Sequence, residues 1–412
     1  MSLMINFFFY FYFVCMKSIF FSFVLLFISL SSSVAQKPSD WINKDALQNK
    51  NFVDTIEFET IVNKIFIKIK IDSLERKFIF DTGAPCMIKD DILSLISHKF
   101  VEKRNLEYVN GRVYEHSFIT LDSLKIGNTK FINVPAFDIK NENLDELFRC
   151  LDFDGIIGSN ILNELLVKID YQKKHIILSD RSEAFLKRSK SGDLSISPHG
   201  KPFIDIKISS KIKDKVLFDS GDDGFYSISD NLVSKYGKSK FKLSDYLIDT
   251  IKISDSQSIS KFLFRDLKFS NVNFKDVVSI TTSQSNSRIG SELLKYGSLV
   301  LNFKDKEFIY EPYDLSAKEI HLPQAIRDFS ISLENGVMKI SQVWPNSNSR
   351  KMGIKEGDQL LELNGKKIVN PCNFFLSDGL KANSEKIVIK IKNQEGVIKD
   401  YFFQKNSVSN SK

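Results

Sequence analysis

Two copies of one pattern, set far apart along the sequence, limit what this protein can fold into more than any other feature. An apolar run leads directly into Asp-Thr-Gly at Phe78-Ile-Phe-Asp-Thr-Gly83, and Val216-Leu-Phe-Asp-Ser-Gly221 repeats it, so that Asp219 follows Asp81 by 138 residues. Three further matches occur in the same order. Leu124-Lys-Ile-Gly-Asn-Thr-Lys-Phe131 returns as Leu267-Lys-Phe-Ser-Asn-Val-Asn-Phe274, and Ile156-Ile-Gly-Ser-Asn-Ile-Leu162 returns as Arg288-Ile-Gly-Ser-Glu-Leu-Leu294. Val167–Tyr171 with His175–Leu178 matches Leu299–Phe303 with Glu307–Tyr310. Matches that keep their order and nearly their spacing mark a duplicated structural unit, so two lobes of one fold are expected.

The runs inside each copy predict strands. Ile65–Ile71 and Phe203–Ile208 are rich in Ile, Phe and Val and are bounded by turn-forming residues, which is the composition of short half-buried strands. One short helix per lobe is expected at Asn160–Leu166 and Glu292–Tyr296. The division that follows is a first lobe over 36–185, a second over 186–315, a linker through Glu311-Pro-Tyr313 and His321-Leu-Pro323, and a third pattern over 324–405.

Composition removes several function classes. The 412 residues are 42% hydrophobic, enough for packed cores. The net charge of +7 comes from 58 basic and 51 acidic residues spread without a like-charge run, so no nucleic-acid partner is expected. The five histidines are scattered and there is no C-x-x-C, so neither a metal nor another cofactor is implied.

The first 35 residues differ in kind. They contain no acidic residue and one basic residue, Lys17, before an apolar run from Ile19 to Leu30. This predicts an export signal, cleaved after Ser33-Val34-Ala35, in place of a retained anchor over Phe7–Leu30. Met16-Lys17 with that run already makes a complete signal, so translation is expected to start at Met16. The mature protein would be exported, to a periplasm or the extracellular space, with no stable membrane insertion. Cys86, Cys150 and Cys372 remain, so at most one disulfide can form within it.

The duplicated Asp-[Thr/Ser]-Gly carries the chemistry. Two carboxylates that share one proton can take a proton from water and give one to a leaving amide nitrogen. Gly83 and Gly221 permit a turn tight enough for Asp81 and Asp219 to face each other, and the hydroxyls of Thr82 and Ser220 can cross-link the two loops.

At these residues the sequence resembles the aspartic peptidases of the pepsin and retropepsin group, as apolar-apolar-Phe-Asp-Thr-Gly-Ala at 78–84 followed by Ile156-Ile157-Gly158, with the second copy behind it. The resemblance spans roughly residues 55–312. It implies a mainly β, two-lobed barrel fold, an exported endopeptidase of bacterial type, Asp81 and Asp219 as catalytic carboxylates, and a peptide or protein substrate. It also implies a flap hairpin over the cleft. Asn105–Phe118 fits one, with a turn at Asn110-Gly111 between Tyr108 and Tyr114. The matching stretch of the second copy, Leu243–Ser254, lacks glycine, so a single flap is expected.

The second copy departs from that family beside its motif. It reads Asp-Ser-Gly-Asp-Asp-Gly, which sets Asp222 and Asp223 next to Asp219, and Arg288 replaces an apolar residue and could pair with one of these aspartates. The acidic cluster alternatively reads as a calcium loop, although its spacing fits no EF-hand-like template. A catalytically inactive, peptide-binding relative is the other reading of these departures.

The third pattern contains Val343-Trp-Pro-Asn-Ser347, Lys351-Met-Gly-Ile-Lys-Glu-Gly-Asp358 and Leu360-Leu-Glu-Leu-Asn-Gly365, and resembles a PDZ domain. That resemblance implies capture of the C-terminus of another polypeptide at a sheet edge. The stretch where the carboxylate-binding loop is expected, Ala325–Ser332, contains no glycine.

Overall fold

The strand pattern acts through alternation. In Lys64–Ile71, Ile67, Ile69 and Ile71 are buried while Lys68 and Lys70 face solvent, and Pro202–Ile208 repeats this with Ile204, Ile206 and Ile208 inside. One face of each strand is thereby committed to a core. The computed structural model describes residues 46–108, 112–181, 192–209, 212–237, 243–252, 258–323, 328–377 and 386–404. All of them lie in one compact unit, Ile42–Lys412. Among the described residues the architecture is mainly β, with 22 strands connected in one network and six in a second sheet.

The two copies fold alike. Strand Leu74–Asp81 pairs antiparallel with Lys64–Ile71 and parallel with Gly155–Gly158, which puts Asp81 opposite Gly158. In the second copy Ile212–Asp219 pairs with Pro202–Ile208 and parallel with Arg288–Gly290, which puts Asp219 opposite Gly290. A shared sheet joins the halves. At its centre Leu166–Asp170 runs antiparallel to Gly297–Asn302. His175–Ser179 and then Val53–Ile61 extend it on one side, Glu307–Pro312 and then Gly192–Ile196 on the other. Val167, Ile169, Leu299 and Leu301 at this seam are fully buried, each contributing about 1.5–3 kcal/mol by removal from water.

Two details differ from the sequence expectation. The expected helices are single 3-10 turns, Ser159–Ile161 and Ser291–Lys295. Buried strands start at Leu166 and Gly297 and leave no room for a longer helix, and the Asn160 side chain is spent on Cys86 N and Pro135 O. In the stretch read as a linker, Glu319–His321 adds a parallel strand beside Val272–Thr282. Residues 1–35, with the expected signal and its cleavage point, lie outside the described residues. No helix among the described residues is long and apolar enough to cross a membrane.

The last part of the sequence has its own sheet, built from Phe329–Glu334, Val337–Val343, Gln359–Leu363, Lys386–Lys392 and Ile398–Gln404, with short helices Asn348–Lys351 and Pro371–Leu376. Its core is separate, formed around Met338, Ile340, Leu360, Ile389 and Ile391. A disulfide, hydrogen bonds and a cation–π contact fasten it to the halves. Cys372 forms a disulfide with Cys150 of the first half. Glu146 accepts from the backbone N–H groups of Asn335 and Gly336 at 2.8 and 3.0 Å. In the second half Asp249 accepts from Asn346 N and Nδ2 at 3.0 and 2.9 Å, and Lys261 Nζ lies 3.9 Å from the centre of the Trp344 ring.

Candidate active site

Each Asp-[Thr/Ser]-Gly sits at the end of a strand, and the two loops grip each other. Thr82 N donates to Ser220 Oγ and Ser220 N donates to Thr82 Oγ1, both at 3.0 Å. The hydroxyls then donate across the pseudo-dyad, Thr82 to Phe218 O at 2.8 Å and Ser220 to Phe80 O at 2.9 Å. Both residues are completely buried, so these four bonds satisfy groups that have no access to water. Lys64 Nζ adds a bond of 2.6 Å to Gly221 O from the opposite half.

This grip fixes the carboxyls. Gly83 N donates to Asp81 Oδ1 at 2.8 Å, and Gly221 N to Asp219 Oδ1 at 3.0 Å. A Cβ on Gly83 would fall 2.3 Å from Asp219 Cγ, and one on Gly221 would fall 2.2 Å from Asp81 Oδ2. Each carboxyl therefore lies against the other loop's glycine. Beneath them, a Cβ on Gly158 would strike Pro85 C at 2.2 Å, and one on Gly290 would strike Gly224 O at 2.4 Å. The Ile-Gly of each copy is thus the floor on which its loop rests.

The environment of the pair is asymmetric. Burial first, and then the charge of Asp81, pushes Asp219 up to about 7, although Arg288 and Lys201 pull the other way. Arg288 Nη1 lies 3.3 Å from Asp219 Oδ2, and its Nε is buried with no acceptor among the described residues. Asp222 takes the place of Ala84, with its carbonyl accepting from Ser291 N at 2.7 Å as Ala84 O accepts from Ser159 N at 3.1 Å. Burial and then Asp219 push the Asp222 carboxyl upward, while Asp223 is exposed. Among the described residues, no group of three or more His, Cys, Asp or Glu side chains is placed to hold a metal ion.

A hairpin of His98–Glu107 and Val113–Ile126 belongs to the first half. Tyr108 closes its described part by donating its N–H to Arg112 O at 2.8 Å. The Tyr108 ring meets Tyr114 edge-on at 5.0 Å and stacks on His116 at 5.6 Å, and its carbonyl accepts from Gln284 Nε2 of the second half at 3.2 Å. Burial first, with Asp138 second, pushes the Tyr108 hydroxyl to about 12. Gly111 and its turn lie outside the described residues.

Sequence reasoning did not find His116, which is fully buried, with Nδ1 2.8 Å from Asp138 O and 3.0 Å from Asp138 Oδ1. Burial raises Asp138, but the bonds from His116 and Ser117 outweigh it and hold that carboxyl below its usual range. Only the register of the sheet brings these residues together. In the second half the corresponding hairpin, Leu247–Lys252 with Ser258–Phe269, carries Asp249 and Lys261. It is therefore fastened to the C-terminal sheet.

An aspartyl protease family model matches residues 67–161, a stretch holding the Asp81 loop, the hairpin around Tyr108 and Gly158, so an aspartic peptidase-like domain is present there. No curated protein matches the sequence. Among solved structures, that of basic 7S globulin from soybean matches with a TM-score of 0.40 and 8% identity, over 63% of this protein and 94% of the other.

Proposed function

We propose that this protein is an exported aspartic endopeptidase that hydrolyses peptide bonds with a water held between Asp81 and Asp219. The observation that carries the reading is reciprocal: each carboxyl is fixed by its own loop's glycine N–H and lies against the glycine of the other loop. With one proton on the pair, retained on the Asp219 side by burial, Asp81 is the group free to take a proton from water. The protonated carboxyl donates to the substrate carbonyl as the water oxygen bonds to its carbon. Asp81 then passes the proton taken from water to the amide nitrogen as the C–N bond breaks, and a hydroxyl proton of the tetrahedral intermediate returns to Asp219, which restores one proton on the pair. No cofactor is required by this chemistry.

Tyr108, Gly111 and Tyr114 belong to the flap that covers bound peptide and excludes water. The C-terminal sheet is read as a PDZ-like domain. In support, its Gly353 and Gly357 adopt left-handed backbone at φ 87° and 91° around the Gly-Ile-Lys-Glu-Gly-Asp segment, and the C-terminus of another polypeptide is its proposed partner. Export to a periplasm or the extracellular space is supported by the apolar N-terminal run and by the Cys150–Cys372 disulfide, a bond that persists in oxidising compartments. Incubating the protein with a mixed peptide library, with and without a statine-type inhibitor, tests the activity. Inhibitor-sensitive cleavage is expected. Peptide binding without cleavage would establish an inactive binding protein in its place.

A further inference from the structure

Two cations border the carboxyl pair, and the pair does not use up their donors. Arg288 stands opposite Leu217, the register position that Ile156 occupies opposite Ile79 in the first half. Its side chain is nine-tenths buried. Among the described residues its guanidinium makes one hydrogen bond, to Asp219, and leaves Nε buried without an acceptor. A guanidinium carries five N–H donors in a planar fork suited to a carboxylate.

Lys201 approaches from the turn before Pro202. That turn is pinned by Ser197, whose Oγ accepts from Lys201 N at 3.1 Å, and by Gly200, packed against Ser159 and Asn160 of the first half. The half-buried ammonium lies within electrostatic reach of both Asp219 and Asp81. Among the described residues, no carboxylate comes within ion-pair distance of it. A buried donor without an acceptor is costly unless a ligand supplies one.

We propose that Lys201 and Arg288 form a carboxylate-binding subsite on the second-half side of the pair, so that this enzyme selects peptides that place a carboxylate beside the scissile bond. The inference rests on the proposed peptidase function. The carboxylate can belong to an Asp or Glu side chain or to the peptide's own C-terminus, and the chemistry of recognition is the same for both.

Matched substrates separate these sources: one peptide series with Glu or Gln at each position flanking the scissile bond, and one with a free or amidated C-terminus. In the native protein, kcat/KM is expected to be about ten- to a hundredfold higher for the carboxylate-bearing member of one series, the scale of a charged hydrogen bond. The Glu/Gln or free/amidated ratio is expected to collapse towards one in Lys201→Met, with Lys201→Gln as a second variant should the first fold poorly. Native ratios near one in both series overturn the subsite and leave the peptidase standing, as does a ratio that survives both substitutions. If no peptide is cleaved, the peptidase reading fails. Calorimetric binding of non-cleavable hydroxyethylene peptides bearing Glu or Gln, or a free or amidated C-terminus, then decides the subsite alone. Tighter binding of the carboxylate-bearing member supports it, and equal or absent binding overturns it.

Discussion

Arg288 reaches Asp219 at 3.3 Å from the strand position where the first half carries Ile156. The guanidinium favours the charged carboxylate, whereas burial and Asp81 favour the neutral one, and the second influence prevails. The pair is thus built from matching loops but loaded unequally.

A pH dependence follows from that imbalance. A carboxyl raised from 3.8 to about 7 favours folding most below about pH 4 and loses this contribution as pH rises through about 7. Cleavage needs the same proton, so kcat/KM is expected to fall on the alkaline side near pH 7. Arg288→Met removes a charge that lowers Asp219, and its alkaline limb should move to higher pH. A pH–rate profile of both proteins checks this, and coincident limbs would remove Arg288 from the electrostatics of the pair.

Asp81→Asn and Asp219→Asn are each expected to abolish peptide cleavage by several orders of magnitude, because an amide can neither accept the proton from water nor return it. Circular dichroism should show the β fold unchanged. Cleavage surviving in either variant would eliminate a mechanism that uses both carboxyls.

Thr82→Val preserves shape but removes an acceptor from Ser220 N and a donor to Phe218 O. The stranded buried groups should cost about 1–3 kcal/mol of stability. Ser220→Ala should cost a similar amount. The double variant should lose less than the two losses added together, since both changes break one network. Urea unfolding of the four proteins measures this, and strict additivity would show that the two loops do not act as a unit.

Reduction of Cys150–Cys372 opens no gap in either core, since the C-terminal sheet packs around its own Met338, Ile340 and Ile389. Cys372→Ser is therefore expected to lower unfolding stability by about 2–5 kcal/mol while peptide cleavage continues. Melting curves and a cleavage assay of the variant decide it. Loss of cleavage in a folded variant would show that the tether itself supports the site.

The sequence displayed what is local. Asp-Thr-Gly and Asp-Ser-Gly, the Ile-Gly elements and the hairpin around Tyr108 all lie within short segments whose residue types dictate the turn or strand. Their doubling made the pairing of Asp81 with Asp219 readable. Residues brought together only by register were invisible: His116 with Asp138, Gln284 with Tyr108, and Lys201 near both carboxyls. Three cysteines left one disulfide allowed but its partners open, because Cys150 and Cys372 are 222 residues apart. The expected helices failed for a local reason of another kind, since Asn160 spends its side chain on two backbone groups and a buried strand follows at once.

The seam between the halves sets a schedule for making the protein. Ile169 finds its partner only when Leu299, 130 residues later, has left the ribosome. At about 5–20 residues per second that interval is on the order of ten seconds. For that time Leu166–Asp170 presents an apolar strand with one edge unpaired, the form most prone to join a neighbouring molecule. Overproduction that outruns this wait should yield aggregates seeded by the first half, and slower synthesis at reduced temperature should recover soluble protein.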